Sequence, residues 1–337
     1  MKIFICMREK RIKFKRSNYF LFHPFFLILL HVRIKNVEMS SKNTIFSRWT
    51  PSHKNSWPYR IFNQYNAELN RIVMAYTSAN KFTYSKLKSD GATWDDKAVN
   101  FLYTNNNNEI TIRNWSDTFN QFDNWVRLNE LLAVSAYFET YLSAIISLSF
   151  ESDPGLLIGS KHSIDGIKLF KDGHKFKKED FKDRIMNCTK GDWNSRISYI
   201  SSIFGTIPTS LISYKSELEK MRNLRNKVGH AFGRDIELSR DYSLTKIHGM
   251  ETLKISTFLK YQKMIKKVTG DLDNMLMNNH IGNFQPLYYY HNNYSSFRSL
   301  NNDGERMIAL KKSIGRDTEE TYSKDFCRWI VNYYNNL

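Results

Sequence analysis

One unbroken stretch, residues 117–150, constrains the fold more than any other part of the chain. It reads DTFNQFDNWVRLNELLAVSAYFETYLSAIISLSF and contains neither Pro nor Gly. Side chains that suit a buried surface recur at helical spacing and predict one face, made of Leu131, Val134, Ser135, Phe138, Tyr141, Leu142, Ile145 and Leu148. The pattern stops at ESDPG, a strong helix terminator. Such a long apolar face must be covered by other elements.

The remaining patterns are also helical. Helices are expected in RIFNQYNAELNRIVMAYTSA, near KEDFKDRIMN, in DWNSRISYISSIFG up to Gly205, from Pro208 through the following motif, and in ETLKISTFLKYQKMIKKVTGDLDNMLMNN. Only 6 Pro and 14 Gly interrupt 337 residues, and no alternating pattern is strong enough to require a sheet. The sequence therefore predicts an all-α fold, an antiparallel helical bundle with helical extensions at both ends.

Four segments are expected along the chain. They are residues 1–38, an N-terminal helical extension over 39–116, the main helical domain over 117–290, and a C-terminal helical tail over 291–337. The Asn tract 105–108 is the predicted boundary before the main domain, flanked by short extended pieces such as EITIRNW.

Residues 1–38 are a basic arm followed by an apolar run from Tyr19 to Val32. This run is shorter than the roughly 20 residues that span a bilayer, and it carries His23 and Pro24. Three interpretations stay open: translation that starts at Met39, a membrane anchor, or a cleaved signal. Without a real anchor in this segment we expect a cytoplasmic protein with no membrane association.

The formal net charge is +17. Residues 1–38 hold nine Lys or Arg against two Glu, so seven of these charges belong to them and +10 remains for residues 39–337. A basic globular body attracts polyanions, and RNA is the partner that we expect. The three cysteines, Cys6, Cys188 and Cys327, lie far apart and lack zinc-site spacing, so we expect reduced thiols, no metal and no cofactor.

The stretch SELEKMRNLRNKVGHAFGRD, residues 216–235, combines a helix pattern with polar residues in unusual places. One predicted face carries Leu211, Tyr214, Leu218, Met221, Val228 and Phe232. Arg225 falls in the middle of that face, where an unpaired charge would cost several kcal/mol. Arg222, Asn226 and His230 follow at intervals of four as a neighbouring polar stripe, and Gly229 leaves space beside the imidazole.

Glu139 of the long helix is the predicted partner of Arg225. It lies between Leu132 and Ile146 at the edge of an apolar face, so it also needs a partner. If the two helices pack antiparallel, a Glu139–Arg225 ion pair would meet both needs and aim the guanidinium.

The order of these features resembles the HEPN superfamily, whose name stands for higher eukaryotes and prokaryotes nucleotide-binding. The likeness rests on RNKVGH late in an amphipathic helix, preceded by AYFETYL, DPGLLIG and WNSRISYISSIFG, and it covers about residues 117–290. The resemblance implies a HEPN-type bundle and a metal-independent endoribonuclease. It also implies a homodimer with two facing motif helices, in a toxin–antitoxin or phage-defence setting with a possible antitoxin or defence partner.

Three residues suit that chemistry. His230 would transfer protons, since imidazole is the side chain that titrates nearest neutrality. Arg225 would bind the phosphate and stabilise its developing charge. Asn226 would orient the imidazole or bind the RNA, with Glu139 and Arg222 in support. The expected products carry 2′,3′-cyclic phosphate ends.

Simpler interpretations stay open for each of these residues. His230 also suits a helix C-terminus, and Arg225 also suits a purely structural ion pair. The alternative function is an inactive helical scaffold of the same fold that binds RNA or protein. The connection 151–192, with His162, Lys175, Lys177 and Lys178, is expected to be a mostly solvated loop, although its lysines are candidate RNA contacts.

Overall fold

Helices build almost all of the regular structure, which a computed structural model describes over residues 46–103, 109–176, 178–243 and 245–337. They are α1 (Trp57–Ser89), α2 (Ile112–Ser152), α3 (Gly166–Lys171), α4 (Lys178–Thr189), α5 (Trp193–Phe204), α6 (Thr209–Ser213), α7 (Lys215–Ala231), α8 (Ile236–Arg240), α9 (Ile255–Leu276), α10 (Phe284–Asn292), α11 (Tyr294–Phe297), α12 (Asp303–Thr318) and α13 (Lys324–Asn335). Short 3₁₀ turns cover Ala98–Asn100 and Pro154–Ile158, and a π-helical turn covers Met277–Ile281. No strand occurs in these ranges, which confirms the all-α prediction.

Several features of the sequence lie outside the described residues. They are residues 1–38, the Asn tract 105–108, Cys6, Lys177 and the side chain of Lys178. The predictions made for them therefore stay predictions.

The long helix α2 is the central element of the core. It begins at Ile112, five residues before the predicted start, because the Thr111 side chain accepts a hydrogen bond from the Asn114 amide and caps the first turn. The prediction of an extended EITIRNW segment was wrong, because residues 112–115 belong to α2 and the preceding Thr111 forms an isolated bridge with Lys97. The predicted apolar face is buried apart from the half-buried Leu148. By length and hydropathy α2 could also cross a membrane, yet 44% of its most apolar window is buried within this fold.

The neighbours of α2 do not all run antiparallel to it. α1 does, since Tyr84 of α1 hydrogen-bonds Ser116 near the start of α2 and Phe62 lies 5.7 Å from Tyr141 further along it. α9 runs parallel to α2. Arg127, earlier in α2, donates to the carbonyl of Leu253, two residues before α9, and Tyr141, later in α2, donates to the Thr269 carbonyl within α9. The predicted antiparallel packing therefore holds for α1 against α2 but not for α9 against α2. In the sequence α7 comes between α2 and α9, and it runs opposite to α2. This reversal allows α2 and α9 to run in the same direction.

The connection after α2 is more ordered than the predicted loop. The expected short helix is confirmed as α4, and the turn Pro154–Ile158 and α3 precede it. α5 is confirmed with its end at Gly205, whose φ of +71° suits glycine. The motif helix is not continuous from Pro208, because Tyr214 leaves helical geometry and its amide closes α6 onto the Ser210 carbonyl.

The C-terminal helices share one core with the central bundle. Ile330 and Val331 of α13 are fully buried in the same cluster as the apolar face of α2. The segment before α1 packs there too, with the ring of Phe46 5.3 Å from that of Tyr333. Residues 46–337 form one compact unit.

Glu130 of α2 gives the fold a pH-dependent weakness. Only 6% of this residue is exposed, and burial raises the pKa of its carboxyl to about 7. The folded state therefore favours the protonated carboxyl of Glu130. The contribution of this carboxyl to the free energy of unfolding is fully present at low pH, and it is lost as the pH rises from about 4.5 to 7 and the carboxyl ionises. We expect Glu130→Gln to raise the free energy of unfolding by about 2 kcal/mol at pH 8, and by much less at pH 5.

Urea unfolding at both pH values measures this effect. The control is Glu109→Gln, whose side chain is 83% exposed and should change stability little at either pH. A Glu130→Gln gain that is equal at pH 5 and pH 8 would contradict a titrating carboxyl.

Candidate active site

The motif helix α7 packs antiparallel to α2. Arg225 of α7 contacts Glu139, while a Cβ placed on Gly229 would meet the Leu132 side chain at 4.0 Å. The later residue of α7 therefore contacts the earlier residue of α2, as antiparallel packing requires. Since nothing else lies within 4 Å of that Cβ position, the space predicted beside Gly229 is present.

The predicted Glu139–Arg225 ion pair is confirmed. The Nη2 atom of Arg225 lies 3.2 Å from Oε2 of Glu139, and its Nη1 atom donates to Asn226 Oδ1 at 3.2 Å. About a third of each charged side chain is exposed, 34% for Arg225 and 32% for Glu139. Two partners thus fix the plane of the guanidinium while part of it faces solvent.

A second arginine, which the sequence analysis missed, shares the same carboxylate. Arg196 of α5 is buried, and its Nη2 atom lies 3.8 Å from Oε1 of Glu139. Its Nε atom donates to the Gly191 carbonyl at 3.0 Å, and its guanidinium lies 4.8 Å from the Trp193 ring. Burial lowers the pKa of Arg196, but an arginine stays charged in proteins. The signal in the sequence was a charge on the apolar face of α5, beside Trp193 and Ile200.

Arg222 lies one turn before Arg225 and pairs along its own helix. Its Nε atom donates to both oxygens of Glu219, at 3.0 and 3.1 Å. Glu219 also accepts from the Trp193 amide at 3.0 Å, which ties α7 to the start of α5. Hydrogen bonds from Arg222 hold the pKa of Glu219 below its ordinary value. Arg222 therefore lies beside the cleft of Arg225, as predicted, but its guanidinium is hydrogen-bonded to the carboxylate of Glu219.

These arginines and Glu139 line a narrow cleft between α2, α5 and α7. The lining residues are Ser135, Phe138, Glu139, Trp193, Arg196, Leu218, Met221, Arg222 and Arg225. The space of about 20 Å³ holds roughly one water molecule. The cleft is therefore too small to enclose a phosphate group, and only its rim, where Arg225 is partly exposed, is open to a group of that size.

His230 does not line this cleft. It is exposed in the last turn of α7, and among the described residues it has no hydrogen-bond or ion-pair partner. Five residues separate it from Arg225, which on a helix is about 7.5 Å along the axis and 140° around it. The structure therefore brings together Arg225, Asn226, Glu139 and Arg222, but a single chain does not direct His230 into the same cleft.

The end of α7 departs from the predicted pattern at Phe232. This residue was expected on the buried face, but it is 64% exposed. Its φ of +52° ends the helix, and the Gly233 amide closes back onto the Lys227 carbonyl at 3.0 Å. Once the helix ends, the rotation of 100° per residue no longer applies. An aromatic ring is thereby left in solvent two residues after His230.

Of the candidate RNA-contacting lysines, Lys175 is exposed in the loop after α3 and lines no part of the cleft.

Comparisons with known proteins add no assignment: no family model, no curated protein and no solved structure matched the chain.

Proposed function

We propose that this protein is a metal-independent endoribonuclease that resembles the HEPN superfamily. One observation carries the proposal: Glu139 and Asn226 hold the guanidinium of Arg225 at a cleft rim, on the helix that also presents an exposed imidazole at His230. An oriented guanidinium can bind a phosphodiester. A solvent-exposed histidine can exchange protons with the hydroxyl groups of a bound RNA. The basic charge of the chain supports an RNA substrate.

In the proposed reaction the RNA supplies its own nucleophile. His230 takes the proton of a 2′-hydroxyl, the 2′-oxygen bonds to the adjacent phosphorus, and the bond from phosphorus to the 5′-oxygen breaks. The imidazolium of His230 formed in this way then gives a proton to the leaving 5′-oxygen. Arg225 stabilises the negative charge that develops on the phosphate oxygens, and Asn226 holds Arg225 in place. The products are a 2′,3′-cyclic phosphate and a 5′-hydroxyl.

A homodimer would supply what one chain lacks. In the proposed assembly two motif helices face each other across a two-fold axis, so that His230 of one chain approaches Arg225 of its partner. The exposed ring of Phe232 supports this arrangement, since it leaves an apolar surface beside His230. The proposed setting is cytoplasmic toxin–antitoxin or phage defence, with an antitoxin or defence protein as a possible further partner.

Incubation with total RNA in the presence of EDTA tests the proposal. The wild-type protein should cleave RNA, while Arg225→Ala and His230→Ala should not. Arg316→Ala and His248→Ala serve as matched controls, because both residues are exposed and neither lies in the cleft. An inactive wild-type protein, or variants that cleave at the wild-type rate, would refute it.

A scaffold that binds RNA or protein without cutting it is the second candidate. It is favoured by the Arg225–Glu139 and Arg222–Glu219 pairs, which also serve a purely structural role. RNA retained in a filter-binding assay, without cleavage, would support this function.

The dimer makes a separate prediction at Phe232. Phe232→Asp should weaken self-association by about 2 kcal/mol, or about 30-fold, because it places a charge in the proposed interface. Cleavage should fall in parallel. Light scattering after size exclusion measures the mass. Ile308→Asp is the control, since Ile308 is 58% exposed on α12. A wild-type monomer, or a Phe232→Asp dimer of unchanged affinity, would contradict the assembly.

A further inference from the structure

Two histidines and an aspartate converge where α2 ends. Asp153 directly follows α2, His162 lies in the loop after the turn Pro154–Ile158, and His280 belongs to the π-helical turn that follows α9. Oδ2 of Asp153 lies 2.9 Å from Nδ1 of His280 and 4.0 Å from Nε2 of His162. One potential ligand atom from each residue lies within 4.8 Å of the others. Within the described part of the chain, these three side chains form a group that could bind a metal ion.

The ligand atoms suit a small divalent transition-metal ion. Around a tetrahedral Zn²⁺ ion with bonds of 2.0–2.1 Å, ligand atoms lie about 3.3 Å apart. The observed separations of 2.9 and 4.0 Å bracket that value, so small side-chain rotations would bring all three to one ion. Two imidazoles with one carboxylate form a donor set that such ions prefer, whereas Mg²⁺ prefers oxygen.

Several neighbouring groups hold His162 in place. The His162 backbone has a φ of +59°, and its amide donates to the second carboxylate oxygen of Asp153 at 2.9 Å. The Trp49 ring stacks on the imidazole, with centroids 4.0 Å apart. In the absence of an ion His162 Nε2 donates a hydrogen bond to the Asn279 carbonyl oxygen at 2.6 Å, so this nitrogen gives up its proton when it binds the metal. A ring fixed on several sides loses little entropy when it binds an ion.

Burial and charge also suit a cation. The side chains of Asp153 and His280 are 0% and 2% exposed, and that of His162 is 29% exposed, which leaves a route from solvent. The guanidinium of Arg48 acts on Asp153 electrostatically, but its Nε atom bonds Asp165 at 3.0 Å. Asp153, Asp165 and Arg48 together carry one net negative charge before an ion binds.

We propose that Asp153, His162 and His280 bind one first-row divalent transition-metal ion, with Zn²⁺ as the representative. The ion joins the end of α2 and the nearby loop at His162 to the π-helical turn, which lies more than a hundred residues later in the sequence. Its role is structural, and it shares no residue with the cleft of Arg225. The inference does not rest on ribonuclease activity.

Metal titration of the full chain, without an affinity tag and after removal of metals, tests the site. Zn²⁺ is added in competition with a chromophoric chelator, and Co²⁺ is added to record its visible absorption. His162→Asn is the main variant, because Asn tolerates the positive φ better than most residues and the position is partly exposed. His174→Asn is the matched control, since His174 is an exposed loop histidine outside the cluster.

The site predicts one bound Zn²⁺ per chain with sub-micromolar affinity, and intense Co²⁺ absorption bands typical of tetrahedral coordination. His162→Asn should weaken Zn²⁺ binding by more than about 100-fold, and Zn²⁺ should raise the melting temperature of the wild type but not of this variant. His174→Asn should match the wild type, and Mg²⁺ should not compete. Wild-type protein that binds no Zn²⁺, or that binds it equally well after His162→Asn, would overturn the proposal.

Discussion

RNA cleavage by the His230→Ala variant is expected to fall by about 10²–10⁴-fold, the usual contribution of a positioned general acid or base. The exposure of His230 and its lack of partners in the described structure make this a sharp test. A histidine that served only the helix end would cost about 0.3–1 kcal/mol of stability on replacement and would leave the chemistry unchanged. Rates on a defined RNA, measured well below the melting temperature, separate these outcomes.

Arg225 offers the companion measurement within the same assay. Removing a charge-stabilising group costs about 10²–10³-fold, so Arg225→Ala should be strongly impaired. Arg225→Lys should recover little, since an ammonium cannot contact Glu139 and a phosphate with a planar fork. Cleavage by His230→Ala or Arg225→Lys within threefold of the wild type would remove that residue from the mechanism.

Replacement of Arg48 by methionine is expected to cost about 3–5 kcal/mol of unfolding free energy, the largest stability effect that the fold predicts. The Arg48 side chain is 2% exposed. It donates to Asp165 Oδ1 at 3.0 Å, to the Ile281 carbonyl at 2.7 Å and to the Ser152 hydroxyl at 2.8 Å. Its guanidinium also lies 4.4 Å from the Trp49 ring. Methionine fills similar volume but leaves these acceptors buried and Asp165 unpaired.

Denaturant unfolding of Arg48→Met measures this cost. Arg328→Met is the matched control, because the exposed Arg328–Asp325 pair on α13 should contribute within about 0.5 kcal/mol. Adding Asp165→Asn to Arg48→Met should recover part of the loss by removing the unpaired charge. A loss below about 1 kcal/mol would show that Arg48 does not hold the segment before α1 in place.

The elements with strong periodicity were predictable from the sequence. The buried face of α2 follows from hydrophobic periodicity, and the end of α5 follows from Gly205. The Glu139–Arg225 contact follows from a second argument. A charge on an apolar helix face needs a partner, and the antiparallel packing of α2 and α7 limits where that partner lies. The same argument, applied to α5, would have found Arg196.

Contacts between distant loops were not predictable. Arg48 lies outside any helix, so no periodicity marks it as buried, although it joins residues more than a hundred positions away. The cluster of Asp153, His162 and His280 has the same character, since spacings of 9 and 118 residues match no local metal motif. The prediction that Phe232 is buried was wrong for a third reason: α7 ends at Ala231, one residue before the hydrophobic pattern ends.

In the proposed reaction RNA is cut through attack by its 2′-hydroxyl, with Arg225 and His230 as the acting groups. Mass spectrometry of the fragments from a defined RNA, incubated with the protein in EDTA, tests it most directly. Every new end upstream of a cut should carry a 2′,3′-cyclic phosphate, and DNA of the same sequence, which lacks the 2′-hydroxyl, should stay intact. Intact RNA, or fragments that end in a 3′-hydroxyl beside a 5′-phosphate, would contradict it.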